Sequence, residues 1–217
     1  MNYYKTLYQG GKGELTEKKS RFIATTLPIS SEEEALAFIE AMKKKYWDAT
    51  HNCSAFVIGK HHELKRCSDD GEPNGTAGRP MLDVLLGEDI HNTAVVVTRY
   101  FGGTLLGTGG LVRAYSGAVK AGLESSIMIE KYLGNRLIVQ TDYNGIGKIQ
   151  YITNQSGILT LNSEYTDLVK VELLVPSDKE EELRKKITEA TNGKAKINVL
   201  EETWFGQVNG ETLLFKD

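Results

Sequence analysis

The chain contains 217 residues, of which 40% are hydrophobic and 25% are charged, as is typical of a soluble globular protein. Its formal net charge of −3 excludes a protein coated in basic residues for nucleic-acid binding, so any such contact must rest on a local patch. No apolar run approaches the length of a membrane span, and the two cysteines exclude a disulfide scaffold. We therefore expect a cytoplasmic protein without a membrane partner.

The amino-terminal half alternates extended and helical patterns. Residues 7–29 predict two extended segments, and Ser31 with Glu34 fits a capping box at the start of a helix. Three lysines at residues 43–45 end that helix; they form either a phosphate-binding patch or, as we favour, a solvated helix end. The elements expected next are strands at residues 53–58 and 63–67, a helix at about 78–86, a strand at 92–100 and a helix at about 110–127.

Two of these elements carry a packing signal. The strand at residues 92–100 is apolar on successive positions, which predicts that it is central in its sheet or covered on both faces. The helix that follows is rich in small residues, so we expect another element to approach it closely. These small residues are Ala114, Gly117, Ala118, Ala121 and Gly122.

A second pattern begins beyond Glu130. A strand at residues 136–140 precedes a helix that Asp142 can cap, and Ser177 with Glu180 forms a second capping box before a later helix. With strands expected at residues 157–164, 168–175 and 195–205, the order is strand, helix, strand, strand, helix, strand. This order is the ferredoxin-like arrangement. We predict an α+β fold with two domains, residues 1–131 and 132–217.

Two glycine-rich blocks stand out in the first half. Block one is residues 68–80, and block two is residues 98–110, which leads directly into the helix at about 110–127. Ordinary connections need one or two turn residues, so this density of glycine and charge calls for a further reason. The charged residues concerned are Asp69, Asp70, Glu72, Arg79, Arg99 and Arg113.

Standard catalytic and nucleotide-binding motifs are absent from both blocks. A P-loop would need Lys-Ser/Thr where Thr108 and Gly109 stand, and the dinucleotide fingerprint would need glycine at Val112. Neither Cys-x-x-Cys nor His-Glu-x-x-His spacing occurs, which argues against zinc. Cys67 follows no activating pattern, because the neighbouring acids disfavour its thiolate. The absence of these motifs indicates no catalytic residue, no zinc site and no cofactor.

An anion site at the end of block two is the favoured interpretation of its glycines. A glycine-rich loop that enters a helix presents unpaired N–H groups at the positive end of the helix dipole. Gly107, Thr108, Gly109 and Gly110 would supply that loop, with Thr104 or Thr108 as a hydroxyl donor and Arg99 and Arg113 adding charge. The alternative is that the glycines only permit positive φ angles and close packing.

The acids of block one also have two interpretations. Asp69, Asp70 and Glu72 are hard oxygen ligands within four residues, which suits magnesium. The favoured alternative is a turn whose acids bond local backbone or pair with arginines of the two blocks, since no further acid cluster completes an octahedral site. Such pairs would clamp the two loops together.

The two blocks resemble the signature of the IMPACT family over about residues 18–123, and the carboxy-terminal unit resembles the second domain of bacterial members. The resemblance implies a first domain of the βαβ type that is shared with ribosomal proteins and the fourth domain of elongation factor G, and a second domain like the fifth of that factor. It suggests contact with RNA or the ribosome. Eukaryotic relatives regulate translation by binding a partner that activates the kinase sensing uncharged tRNA. Bacteria lack that kinase, so this role does not carry over, and the family brings no catalytic residues.

The leading hypothesis is a non-enzymatic, cytoplasmic binding protein that contacts RNA or the ribosome in the regulation of translation. The alternatives are a magnesium-dependent enzyme acting on a small phosphorylated or nucleotide substrate, and a protein-interaction module without nucleic acid, such as a partner in translational control. The expected binding surface comprises Asp69, Asp70, Glu72, Arg79, Arg99, Thr104, Gly107, Thr108, Gly109, Gly110 and Arg113.

Overall fold

The structure is a computed structural model that describes residues 2–215. The chain divides into two compact units: one is Tyr4–Glu130, and the other consists mainly of the chain from Lys131 onward. Both units combine helices with a sheet, which confirms the α+β class with two domains. Within residues 2–215, no helix has the length and apolar character needed to cross a membrane.

The first part of the described chain contains six strands and three helices. The elements are β1 (Tyr3–Gln9), β2 (Lys12–Glu17), β3 (Ser20–Pro28), α1 (Glu32–Lys45), β4 (His51–Ile58), β5 (Leu64–Ser68), α2 (Gly78–Gly87), β6 (Thr93–Tyr100) and α3 (Thr108–Glu124). The predicted extended region before residue 30 proves to hold three strands rather than two. The first unit has a five-stranded antiparallel sheet in the order β2-β3-β6-β4-β5.

Strand β6 is the centre of the first unit, as the sequence predicted. Its side chains alternate between two cores, so both faces of the strand are covered and residues 93–99 are all buried. Ala94 and Val96 pack in the cluster with Phe38 and Ile39 of α1. Val95 and Val97 belong to the larger cluster that includes α2 and α3. A strand with helices on both sides needs apolar residues at every position.

Helix α3 approaches the sheet closely, which confirms the prediction from its small residues. A Cβ atom on Gly122 would lie 2.9 Å from Cβ of Ala24, and a Cβ atom on Gly13 would lie 2.2 Å from the carbonyl carbon of Ala121. Only glycine fits such a backbone contact without displacement. The contact fixes the position of α3, and therefore of its amino terminus, against β2 and β3.

The second unit has the ferredoxin-like order predicted from the sequence. The elements are β7 (Ile127–Thr141), α4 (Tyr143–Ser156), β8 (Leu159–Tyr165), β9 (Val169–Pro176), α5 (Glu180–Ala190), β10 (Lys196–Val208) and β11 (Glu211–Phe215). The sheet of this unit runs β11-β10-β7-β9-β8. Helices α4 and α5 bury Ile149, Leu183 and Ile187 in its core cluster.

Two of the three predicted helix caps are confirmed. Ser31 accepts the N–H of Glu34 at 3.3 Å, and Asp142 accepts the N–H of Gly145 at 2.8 Å. The prediction at Ser177 is wrong, because residues 177–179 form a short 3₁₀ helix before α5 and no side chain caps α5. Glu180 instead bonds Asn135 and Arg184, so long-range and i,i+4 partners replace the local box.

Candidate functional site

Asp69 organises the loop of block one. Its carboxylate accepts the backbone N–H groups of Gly75, Ala77 and Gly78 at 2.8, 3.0 and 2.8 Å. Two of these groups belong to the uncapped start of α2, so Asp69 does the work of a capping residue from nine positions upstream. Burial alone would raise the pKa of Asp69, but the three N–H groups together outweigh burial and lower the pKa.

Asp70 ties block one to the strand and helix beside it. Its carboxylate accepts the N–H of Asn52 at 2.7 Å and lies 3.4 Å from Nζ of Lys43. Its carbonyl oxygen lies 2.8 Å from Nδ1 of His51. Asp70 has a positive φ of 45°, a conformation that aspartate tolerates better than most residues. Asp70 therefore has a structural role, because it holds block one against β4 and α1.

Glu72 and Arg99 form a buried ion pair that joins the two blocks. Nη1 of Arg99 donates to Oε1 of Glu72 at 2.5 Å, and the two residues are only 5% and 8% exposed. Oε1 also accepts the hydroxyl of Tyr115 at 2.7 Å. Nε2 of His51 lies 3.8 Å from the other carboxylate oxygen. The expected clamp between acids and arginines is confirmed for this pair.

A buried cysteine extends the same network. Sγ of Cys53 lies 3.0 Å from the carbonyl oxygen of Asp69 and 3.3 Å from the hydroxyl of Tyr115. Burial is the main effect that raises the pKa of Cys53 to about 12 and also raises the pKa of Tyr115. Both groups therefore stay protonated at neutral pH. A neutral thiol inside the core serves packing and hydrogen bonding rather than nucleophilic chemistry.

The three acids of block one are thus already engaged, which favours the turn-and-ion-pair interpretation over the magnesium interpretation. Within residues 2–215, they do not belong to a group of three or more ligand atoms lying within 4.8 Å of one another. The carboxylates of Asp69 and Glu72 instead accept hydrogen bonds from backbone and side-chain donors. These contacts support a structural role for the acids in the loops.

The three arginines do not share one surface. Arg99 is inside, whereas Arg79 pairs with Asp83 at 2.8 Å on the exposed side of α2. Arg113 is exposed on the first turns of α3 and makes no hydrogen bond or ion pair with the residues that the structure describes. Arg99 is therefore unavailable as the phosphate contact that the sequence suggested, because Glu72 occupies its guanidinium. Arg79 and Arg113 remain as outward charges.

The amino terminus of α3 is open, as the sequence predicted. Gly107 precedes the helix with a φ of 73°, and no side chain caps the N–H groups that follow. Thr104, Thr108 and Gly109 are exposed, and Gly110 is half-buried. The first-turn N–H groups point outward at the positive end of the dipole. This geometry suits an anion but does not by itself identify one.

A cavity of about 430 Å³ lies between the two blocks. The buried Glu72–Arg99 pair forms part of its wall, and three leucines and one phenylalanine form another part. Leu105 is 82% exposed on the same loop, which is unusual for a leucine. The leucine and phenylalanine residues that line the cavity are Phe101, Leu105, Leu106 and Leu111.

A basic and aromatic surface lies next to block two, and the sequence analysis missed it. We define the basic–aromatic surface as Lys12, Arg21, Lys45, Tyr46, Trp47 and Tyr100. Nζ of Lys45 and of Lys12 lie 5.4 and 5.9 Å from the centroid of the Tyr46 ring. Arg21 of β3 lies directly opposite Tyr100 of β6 in the sheet.

Trp47 is the most exposed large apolar side chain on this surface, at 83%. Lys18 and Lys19 are exposed and add positive charge close to block two, because Gly102 of block two packs directly on the backbone of Lys19. The sequence does carry a signal for this surface, because aromatic residues directly follow the three lysines at 43–45 for which a solvated helix end is the favoured interpretation.

Comparison with known proteins places these features in a family. Residues 18–123 match the Impact N-terminal domain, and residues 139–194 match a domain of unknown function, DUF1949. The chain is 41% identical over 204 residues to IMPACT family member YvyE of Bacillus subtilis, covering 94% of each chain. The chain belongs to the IMPACT family.

Other IMPACT relatives agree with this assignment. YigZ of Escherichia coli is 36% identical over 187 residues, covering 85% of this chain and 92% of YigZ. A crystal structure described as that of a hypothetical protein is 33% identical and has a TM-score of 0.59, covering 93% of this chain and 98% of that one. The IMPACT arrangement of two domains therefore extends over nearly the whole sequence.

Proposed function

We propose that this IMPACT family member acts in the regulation of translation as a non-enzymatic, cytoplasmic binding protein, and that it contacts structured RNA, free or on the ribosome. The basic–aromatic surface carries this proposal. The family resemblance extends to eukaryotic regulators of translational control, which suggests translation as the process in which the protein acts. The basic and aromatic side chains of the surface suggest RNA as the ligand.

Aromatic and basic side chains on this surface match the needs of an RNA strand. Bases stack on exposed aromatic rings, and lysines neutralise the phosphates between them. Trp47 makes no contribution to either core cluster of the first unit, so packing does not explain a tryptophan at this position. Glu14 and Asp48 offset part of the charge through bonds to Arg21 and Tyr100.

The buried pair of the two blocks contacts an exposed aromatic ring that follows Tyr100 in the chain. The guanidinium carbon of Arg99 lies 5.4 Å from the ring centroid of Phe22 and 5.5 Å from that of Phe101. Phe101 is 46% exposed, and its N–H donates to the hydroxyl of Thr50 at 3.1 Å. The ion pair with Glu72 therefore fixes an outward aromatic ring beside Tyr100. The open start of α3 and Arg113 add further donors for phosphate.

Fluorescence anisotropy with a labelled structured RNA tests the proposal. Loss of one base-stacking ring costs about 1–3 kcal/mol, so we expect Trp47→Ala to weaken binding by about 5- to 150-fold. Tyr151→Ala is the matched control, because Tyr151 is an aromatic residue that is 63% exposed on the second unit. Lys45→Gln should reduce the log–log slope of affinity against salt by about 0.7 for single-stranded contacts.

Equal affinities for the parent chain, Trp47→Ala and Tyr151→Ala would refute the proposed surface. An affinity that does not change between about 50 and 200 mM salt would also refute it, because phosphate contacts release counterions. Thermal melting of each variant shows whether the fold is intact, and substitution of the highly exposed Trp47 should leave the melting temperature unchanged within about a degree.

Protein docking at the cavity between the blocks is a second candidate function. The exposed Leu105 beside a leucine-lined cavity favours it, since an apolar side chain projecting at a cavity is typical of a protein contact. Ribosome co-sedimentation with and without nuclease separates the two functions. Association that survives nuclease and disappears in Leu105→Ser would favour protein docking. Association that is abolished by nuclease and by Trp47→Ala would favour RNA.

A further inference from the structure

A cluster of two histidines and an aspartate lies at the opposite end of β6 from block two. His62 belongs to the turn between β4 and β5, and Asp89 and His91 belong to the connection between α2 and β6. One potential ligand atom from each of the three side chains lies within 4.8 Å of the other two. The proposed RNA surface and the cavity between the blocks do not involve these residues.

The hydrogen bonds of the two rings determine which nitrogens are free. Nδ1 of His91 lies 3.1 Å from the carbonyl oxygen of Gly59, and Nε2 of His62 lies 2.9 Å from that of Ile90. A carbonyl can only accept, so each of these nitrogens carries the proton. A metal-binding histidine typically donates its second ring N–H to a backbone carbonyl in this way.

The second ring nitrogen of His91 is left in an unusual position. His91 is 1% exposed, and its buried Nε2 makes no hydrogen bond to any residue that the structure describes. Oδ1 of Asp89 lies 3.2 Å from this nitrogen. A carboxylate oxygen and an imidazole lone pair repel each other at that distance unless a cation lies between them. The arrangement therefore calls for a shared cation, either a proton or a metal ion.

The two loops that carry these residues are already held together. The N–H of Gly59 donates to the side chain of Asn92 at 2.8 Å, in addition to the two histidine–carbonyl bonds. The imidazole rings stack with centroids 4.0 Å apart and 7° between their planes. Because an imidazole lone pair lies in the ring plane, metal binding requires the half-buried His62 ring to tilt relative to that of the buried His91, while His62 keeps its Nε2 hydrogen bond to Ile90.

We propose that His62, Asp89 and His91 bind a divalent transition-metal ion, with zinc as the reference ion. Two imidazole nitrogens and one carboxylate oxygen, completed by water, give the four-coordinate set that zinc adopts. Imidazole ligands select zinc, copper or nickel over magnesium and calcium. The ion would link the β4–β5 turn to the start of β6, the strand that carries Arg99 at its other end.

Calorimetric titration of zinc into the chelator-treated full chain tests this site, with thermal melting as a second readout. We expect one zinc ion per chain and a rise in melting temperature of about 5–10 °C at zinc concentrations 100-fold above the dissociation constant. Asp89→Asn and His62→Gln should each weaken binding by at least about tenfold.

His61→Gln is the matched control, because His61 is the neighbouring exposed histidine on the same turn and is not part of the cluster. It should bind zinc as the parent chain does. The site is overturned if zinc does not bind, or if binding persists in both Asp89→Asn and His62→Gln. Equal losses in His61→Gln and His62→Gln would also overturn it, because they would indicate adventitious binding by surface histidines. His91→Gln is left out, since a change at a buried position can unfold the loop.

Discussion

Replacing Glu72 with glutamine tests the most consequential contact of the two blocks. The substitution keeps the size of the side chain and the oxygen that accepts from Tyr115, but it removes the charge opposite Arg99. The Arg99 side chain is 6% exposed and that of Glu72 is 3% exposed, so water cannot replace the lost partner. A buried charge without its partner is far more costly than a broken surface pair.

The expected magnitude follows from this burial. Removing one member of a buried ion pair typically costs about 3–5 kcal/mol, and we expect Glu72→Gln to fall near 3 because the hydrogen bond from Tyr115 survives. Chemical denaturation gives the free energy of unfolding, and hydrogen exchange at the amides of β6 separates the first unit from the second. Asp83→Asn is the control, because the Arg79–Asp83 pair is exposed and should contribute only about 0–1 kcal/mol.

A double substitution makes the reasoning refutable. Glu72→Gln combined with Arg99→Met removes both charges, so the cost should fall well below that of Glu72→Gln alone. Two results would contradict the argument. One is a cost for Glu72→Gln no larger than that for Asp83→Asn. The other is simple additivity of the two substitutions, which would show that the residues do not interact.

Three further predictions follow from the same loops. Iodoacetamide at pH 8 should label Cys67 in the native chain but leave Cys53 unmodified until denaturant is added, because burial raises the pKa of Cys53 to about 12. Mass spectrometry of the labelled peptides measures both rates, and similar rates for the two cysteines would contradict this prediction. Asp69→Asn should reduce stability at neutral pH, and the difference from the parent chain should disappear as the pH falls. The reason is that the pKa of Asp69 is lowered in the folded state, so the ionised carboxylate stabilises the fold above the unfolded pKa of about 3.9. This stabilisation is lost as the pH drops through the folded pKa. Urea unfolding at pH 7 and at about pH 2.5 measures it, and a constant difference would argue against it. Gly102→Ala should destabilise the first unit by about 1–3 kcal/mol, because its Cβ would lie 2.0 Å from the backbone of Lys19, whereas Gly147→Ala, with nothing within 4 Å, should be neutral or stabilising in the same denaturation assay.

Local patterns in the sequence were sufficient for most of the fold. The apolar run of β6, the caps at Ser31 and Asp142, and the succession of helices and strands along the second unit all depend on neighbours within a few residues. The missed strand β11 had a local signal too. Asn209 and Gly210, both with positive φ in the structure, form the Asn-Gly pair that is the strongest short hairpin signal.

The candidate site was less predictable, because its contacts join distant parts of the chain. Arg99 and Glu72 are 27 residues apart, and the sequence offered three acids and three arginines without showing which would meet. Asp69 bonds amides up to nine residues away, which no capping pattern describes. The basic–aromatic surface needs β2, β3, β6 and the end of α1 to assemble before its side chains adjoin. Pairing and surface composition are properties of the folded chain.

The structure changes what the glycines of the two blocks imply. Gly102 is required because the backbone of Lys19 leaves no room for a Cβ atom, and Gly107 is favoured because φ is 73° where the chain enters α3. Together with the buried Glu72–Arg99 pair, these residues explain much of the glycine and charge density without a ligand. Side chains that the fold does not need, above all the exposed Trp47 and Leu105, are therefore the best candidates for binding. Substitution of these two outward residues, rather than of the blocks, separates function from folding.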